Sequence, residues 1–205
     1  MSELKDIVII LKSAKYKEKD LVLSLISKNN GRLCICARGV RGGSKRFAGG
    51  IDIFDCAEVI IKKTPRGTNL ESLTRVETWS NFSKNPKLYR IATACLETIM
   101  ALTDEEDPQS QDLFMPLFLS LRALNRSTSI DQQNSILIYF LISILETTGF
   151  GLPNIANQDA KAWFAAMQNQ EVPIVPNNKE IIDSSLKILI SQIESIKGKK
   201  IASIA

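Results

Sequence analysis

The chain contains no histidine. That absence removes the commonest general base at neutral pH, the Ser-His and Cys-His nucleophile pairs and every imidazole metal ligand. Cysteine is scarce as well: Cys34, Cys36, Cys56 and Cys95 include no C-x-x-C pair and no second cluster. A structural zinc site has no framework there, no metal or other cofactor is expected, and so few thiols in 205 residues suit a reducing compartment. With 10 glycines and 7 prolines, collagen-like and low-complexity chains are excluded, and a hydrophobic content of 44% suffices for a sizeable core. The longest apolar run, Ile136 to Leu145 interrupted at Ser143, is far short of the ~20 residues of a membrane span and reads as a buried helix. Ser-Glu-Leu-Lys-Asp after Met1 lacks the basic start and apolar stretch of a signal peptide, so a cytoplasmic location without membrane contact is expected.

What is present is a division of charge. The net value of +4 conceals 18 basic and 9 acidic residues in positions 1–90, against 8 and 13 in the rest. The first part is thus +9 and the second −5.

The periodicity changes near the same place. Asp6 to Leu11 and Leu21 to Ile26 read as strands joined by the charged stretch Lys15 to Asp20. Asn29-Asn30-Gly31 signals a turn before Arg32 to Arg38, where Leu33, Ile35 and Ala37 share one face and Arg32, Cys34, Cys36 and Arg38 the other. A fourth strand, Ile51 to Lys63, changes parity between Ile53 and Phe54, which predicts a bulge or bend; Leu70 to Thr78 forms a fifth after the turn Thr64 to Gly67. Five short antiparallel strands fit a small closed barrel of the OB-fold kind. From residue 85 the period is helical: a helix opening at Asn85-Pro86, one from Asp112 to about Asn125, and a central one from Asp131 to Thr148 stopped by Gly149. A shorter helix from Asp159 to Gln168 and a last one opened by Asn177-x-x-Glu180 and closed by Gly198 follow. The expectation is an α+β chain, with an N-terminal OB-fold β-barrel over residues 1–80 and a C-terminal all-α helical domain over 81–205.

The most informative segment is Ala37 to Gly50, where Arg38, Arg41, Lys45 and Arg46 stand among five glycines without an acidic residue. It has neither the spacing of a phosphate-binding P-loop nor that of a dinucleotide fold. A basic, glycine-rich loop between barrel strands suits a phosphate backbone, with Phe47 available to stack on a base; a solvated hairpin loop is the plainer reading. Lys62, Lys63 and Arg66 at the next strand end, and Lys15, Lys17 and Lys19 in the first connection, favour the nucleic-acid reading, since three basic clusters on one small barrel exceed what solubility needs.

Other candidates read more blandly. Cys34 and Cys36 share a strand face, but two thiols cannot complete a tetrahedral metal site, so they read as small packing residues. Asp104-Glu105-Glu106-Asp107 reads as a solvated loop rather than a carboxylate site, which leaves a magnesium-dependent hydrolase with little support. Trp79, Phe82 and Tyr89 read as packing residues. Arg122 and Arg126, at i and i+4 beside Leu121 and Leu124, would suit an acidic peptide ending in a carboxylate if an apolar groove lies beside them. A protein-binding adaptor using that groove is the alternative to a nucleic-acid binder.

Lys12 to Gly50 resembles the bacterial RecO family of recombination mediators. The resemblance rests on Tyr16 to Asp20 followed by Leu-Val-Leu-Ser-Leu, Gly31-Arg32-Leu33, Ala37-Arg38-Gly39 and Ser44 to Gly49, with Glu146 to Phe150 and faintly Lys199 to Ser203 in the second half. It implies a barrel followed by helices and a non-enzymatic DNA-repair factor of the RecF pathway. Such a protein binds single- and double-stranded DNA, anneals strands, recognises the acidic C-terminal tail of single-strand-binding protein and, with RecR, helps load RecA, all at the bacterial nucleoid. Many members carry a four-cysteine zinc site after the third helix; residues 150 to 178 hold no cysteine, so zinc is not expected.

Overall fold

The computed structural model describes residues 2–42, 47, 49–65, 67–151, 153, 179–198 and 201–203. Five strands, β1 (Ser2–Tyr16), β2 (Asp20–Ser27), β3 (Gly31–Ala37), β4 (Cys56–Thr64) and β5 (Gly67–Glu77), close into a barrel in the order β1-β2-β3-β5-β4. All neighbours are antiparallel except β3 and β5, which run parallel and meet at Cys36 and Asn69. Because β1 is long, its first half pairs with β4 and its second with β2, which closes the sheet. This is the OB-fold.

Alternation fills the barrel. Val8, Ile10, Leu21, Leu23, Leu25, Ile35, Ala37, Val59 and Ile61 point inward. Phe47 joins them at 5% exposure, so it is a core residue and cannot stack on a base. The first connection is shorter than the charged stretch suggests: β1 continues through Lys15 and Tyr16, and only Lys17 to Lys19 form the turn, with Lys17 at φ +54°. The parity change before β4 is a left-handed Phe54 (φ +69°) that keeps both Ile51 and Phe54 buried, and β4 begins later than expected, at Cys56.

One buried carboxylate organises the β2–β3 turn. Asp6, 4% exposed, accepts hydrogen bonds from the Ser27 hydroxyl, the Asn29 backbone N–H (3.2 Å), both the Asn29 and Asn30 side-chain amides (2.7 Å each) and the Ile7 N–H (2.8 Å). A buried charge is tolerated only when it is hydrogen-bonded this fully.

Among the described residues four helices follow: α1 (Pro86–Leu102), α2 (Phe114–Arg126), α3 (Ile130–Thr147) and α4 (Lys179–Lys197). Asn85 caps α1 through its Oδ1, which accepts from Lys87 N (3.1 Å) and Leu88 N (3.2 Å), with Pro86 at the first helical position. Ser129 caps α3, and Gly149 at φ +75° ends it. From Ile136 to Leu145 α3 is buried except at Tyr139 and Ser143, and it packs against both α1 and α4. The candidate helix over Asp159 to Gln168 and the capping residue Asn177 lie outside the described residues. Among the described residues no helix is long and apolar enough to cross a membrane.

The chain divides into two compact units, Met1–Trp79 with Thr103–Met115, and Ser80–Leu102 with Pro116–Ala205. A single boundary at residue 80 misses the segment Thr103–Met115, which belongs with the barrel. The acidic run inside it is therefore not merely a solvated loop between helices: it is held on β3, with Glu106 N donating to Arg32 O (2.9 Å) and Arg32 N to Asp107 O (3.3 Å).

Candidate nucleic-acid interface

Strand register decides which of the basic residues meet. Ala14, Val22, Cys36, Asn69 and Lys62 are successive partners across β1, β2, β3, β5 and β4, and each is at least partly exposed, so they form one row on the outside of the barrel. Lys62 thus lies two strand spacings, about 10 Å, from Cys36. Arg38 follows β3 at the end of the alternation Arg32, Cys34, Cys36, Arg38, and it is exposed. The sequence reading of β3 as two-faced holds: Ile35 and Ala37 are buried and Cys34 and Cys36 are half-exposed. The two cysteines consequently stand on the outer face of the barrel, the side on which the alternation places them.

Backbone hydrogen bonds tie the β1–β2 turn to the segment after β3. Arg41 N donates to Lys19 O (3.1 Å), the Arg41 guanidinium donates to Glu18 O (3.1 Å), and Gly39 N donates to the Asp20 carboxylate (2.9 Å). Gly42 lies against the Lys19 stem, where an added Cβ would meet Cδ at 3.1 Å. These bonds gather Lys17, Lys19, Arg38 and Arg41, all exposed, at one end of the β2–β3 face, next to the row that ends in Lys62. The Arg41 guanidinium gives this hydrogen bond to a neutral carbonyl rather than to a carboxylate. Lys15 and Lys63 are exposed but take the opposite parity on their strands, with Lys15 opposite Leu21 and Lys63 opposite Thr68, so they stand beside this face rather than on it. Lys45, Arg46 and Arg66 lie outside the described residues.

The far end of the glycine-rich connection is clamped by Arg75. Its guanidinium donates to Asp55 through Nε (2.8 Å) and Nη2 (2.9 Å), and Nη2 also reaches Gly50 O (2.9 Å). The hydrogen bond to Asp55 raises the Arg75 pKa still further. Sequence reading missed it, because Arg75 sits among ordinary strand residues with no local signature.

On the helical unit, Arg122 and Arg126 are exposed along one side of α2, as their spacing predicts. Leu121 and Leu124, expected beside them, are fully buried; Met115 and Leu119, on their side of α2, are exposed at 44% and 47%. A pocket of about 300 Å³ lies elsewhere, lined by Lys87, Arg90 and Ile91 of α1, Ile130, Asn134 and Leu137 of α3, Leu186 of α4, and Ser203. It pairs two cations with an apolar floor, and Arg122 and Arg126 do not line it. Of the aromatic candidates, Trp79 and Phe82 are buried and Tyr89 is 41% exposed.

Two family models match the chain in order: the recombination protein O N-terminal domain over residues 1–82 and the recombination protein O C-terminal domain over residues 84–154. A DNA repair protein RecO from a Nocardioides species is 30% identical over 150 residues, which is 71% of this chain and 59% of the relative. RecO from Caldanaerobacter subterraneus subsp. tengcongensis is 24% identical over 151 residues (73% and 60%), and that from Streptomyces avermitilis 27% over 164 residues (77% and 65%). The chain spans about three fifths of the length of the curated relatives it matches. A closed five-stranded barrel followed by helices, with both family models matched in chain order over most of its length, means that the chain belongs to the RecO family.

Proposed function

We propose that the protein is a non-enzymatic mediator of DNA repair and homologous recombination, acting in the bacterial cytoplasm at the nucleoid. It binds single- and double-stranded DNA and anneals complementary strands. With RecR, it helps load RecA onto DNA coated by single-strand-binding protein. The observation that carries the DNA-binding part is the convergence of Lys17, Lys19, Arg38, Arg41 and Lys62 around the β2–β3 face. That face, with the β1–β2 and β4–β5 loops, is where OB-folds take oligonucleotides. Lys15, Lys63, Lys45, Arg46 and Arg66 are proposed as flanking contacts. Cations there neutralise phosphates without reading sequence, and a surface that holds two strands lowers their mutual repulsion, so pairing needs no catalytic residue. Titration of a labelled single strand across a salt series tests this reading.

For the helical unit, the proposal is recognition of the acidic C-terminal tail of single-strand-binding protein. The pocket with Lys87 and Arg90 supports it, because a concave apolar site rimmed by cations suits a peptide that ends in a carboxylate. Calorimetry with such a peptide is expected to show about tenfold weaker binding for a Lys87→Ala/Arg90→Ala variant, the loss of roughly one charge-assisted hydrogen bond. A larger loss from Arg122→Ala/Arg126→Ala would move the site to α2, where the sequence reading puts it.

A further inference from the structure

The segment Thr103–Met115 does more than pack against β2 and β3. It places four carboxylates at one end of the face whose other end is basic. Its position is fixed by several contacts. Ser110 Oγ accepts from Arg32 N (2.8 Å) and donates to Asp107 O (2.6 Å). Gly31, at φ +66°, leaves no room for any side chain, since an added Cβ would lie 1.9 Å from Asp107 O. Glu106 is held at φ +60°, a conformation that a non-glycine residue adopts only when its surroundings impose it.

Arg32 completes the lock. Its guanidinium donates to Thr103 O (2.6 Å) and Ser24 Oγ (3.2 Å) and lies 3.9 Å from the Glu105 carboxylate, with only 12% of the side chain exposed. The first cation of β3 is thereby committed to the protein's own acidic segment. Along the outer face the charge then runs from Glu105 and Glu106 at Arg32, past Cys34 and Cys36, to the cations around Arg38. At about 3.3 Å per residue, Cys34 is roughly 7 Å and Arg38 roughly 20 Å from Arg32. With a screening length of about 10 Å at 0.1 M salt, the carboxylates act on Cys34 and leave the basic end almost untouched. Their field does reach Cys34: burial is the main cause that raises its pKa, Glu105 raises it further, and the opposing pull of Arg32 is followed by a smaller push from Glu106.

We propose that the acidic segment Asp104–Asp107 is a built-in stop that ends the nucleic-acid path on the barrel between Cys36 and Cys34, confining a bound strand to the half of the β2–β3 face that carries Arg38 and Arg41 and is flanked by Lys62. The proposal rests on the DNA-binding reading above and adds the strand's boundary to it. A repelled phosphate backbone turns away at Cys34 instead of running on along β3 to Arg32.

The test combines thiol protection with charge neutralisation. In the wild-type protein, a bound oligonucleotide is expected to shield Cys36 from a maleimide and leave Cys34 reactive. In a Glu105→Gln/Glu106→Gln variant, whose altered side chains are exposed, the strand should extend to shield both thiols. Affinity should rise about fivefold at ~0.1 M salt, the gain from one more phosphate contact. Binding that protects both thiols or neither in the wild type, or a variant with unchanged affinity and protection, overturns the stop and leaves the DNA-binding reading standing. Absence of any oligonucleotide binding overturns both.

Discussion

Replacing Arg41 and Lys62 together by glutamate is expected to weaken binding of a single-stranded oligonucleotide about 100-fold at ~0.1 M salt. Each lost phosphate contact removes about 0.7 of a logarithmic unit at that salt, so two account for roughly 25-fold, and the new repulsion supplies the remainder. The pair is chosen for its geometry. Arg41 is anchored to the β1–β2 turn through Lys19 O and Glu18 O, and Lys62 lies across β5 from Cys36, so the two flank the face from opposite sides. Neither is a core residue, and the circular-dichroism spectrum should remain that of the wild type. The slope of log affinity against log salt should shrink to about −2.1, as three contacts replace five. Unchanged affinity in a natively folded variant would take both residues out of the interface.

The second large effect concerns stability. An Asp6→Ala substitution removes the acceptor that serves Ser27, Asn29, Asn30 and the Ile7 N–H, and it leaves several donors buried or half-buried without it. A cost of about 3 kcal/mol is expected, since each stranded buried donor costs ~1–3 kcal/mol and the turn recovers part of this by relaxing toward water. In a unit of this size that is a fall in Tm of about 10–20 °C, measured by thermal unfolding in circular dichroism. Because the turn it holds leads into Gly31 and Arg32, hydrogen exchange should also quicken at Asn30 and Arg32. A shift under about 3 °C would show that the carboxylate is dispensable. Asp6 lies in a run of apolar strand residues, and nothing in its local sequence separates it from a surface position.

That contrast indicates what the sequence could and could not disclose. The inward face of β3 was legible, because strand alternation puts Leu33, Ile35 and Ala37 on one side whatever the partner. The caps of α1 and α3 were legible in kind, since Asn85, Pro86 and Gly149 each have one conformational use at a helix end. The docking of Thr103–Met115 on β3 was not, because much of it is made by backbone groups, Arg32 N, Glu106 N and two carbonyls, which carry no sequence signature, and the side chains that join them, Arg32 and Ser110, lie far apart in the chain. Phe47 misled for a related reason: an aromatic residue among glycines and cations looks like a stacking platform, and only the closed barrel turns it inward. The pocket on the helical unit draws three residues from α1, three from α3 and one from α4, so its lining is scattered along the chain. Basic residues on the barrel were visible as clusters, but their convergence depended on a register in which Cys36 meets Asn69 and Asn69 meets Lys62.

The composition already separates a chain of charge +4 into a basic first part and an acidic second part, and the structure moves one acidic piece back onto the basic barrel. The central claim is that the barrel holds DNA through phosphate neutralisation at the β2–β3 face. Its most direct measurement is the affinity for a labelled single strand between 50 and 200 mM salt. With about five phosphate contacts the slope of log affinity against log salt should be near −3.5, a weakening of about 100-fold across that range. A flat dependence, or no binding at the lowest salt, would contradict it.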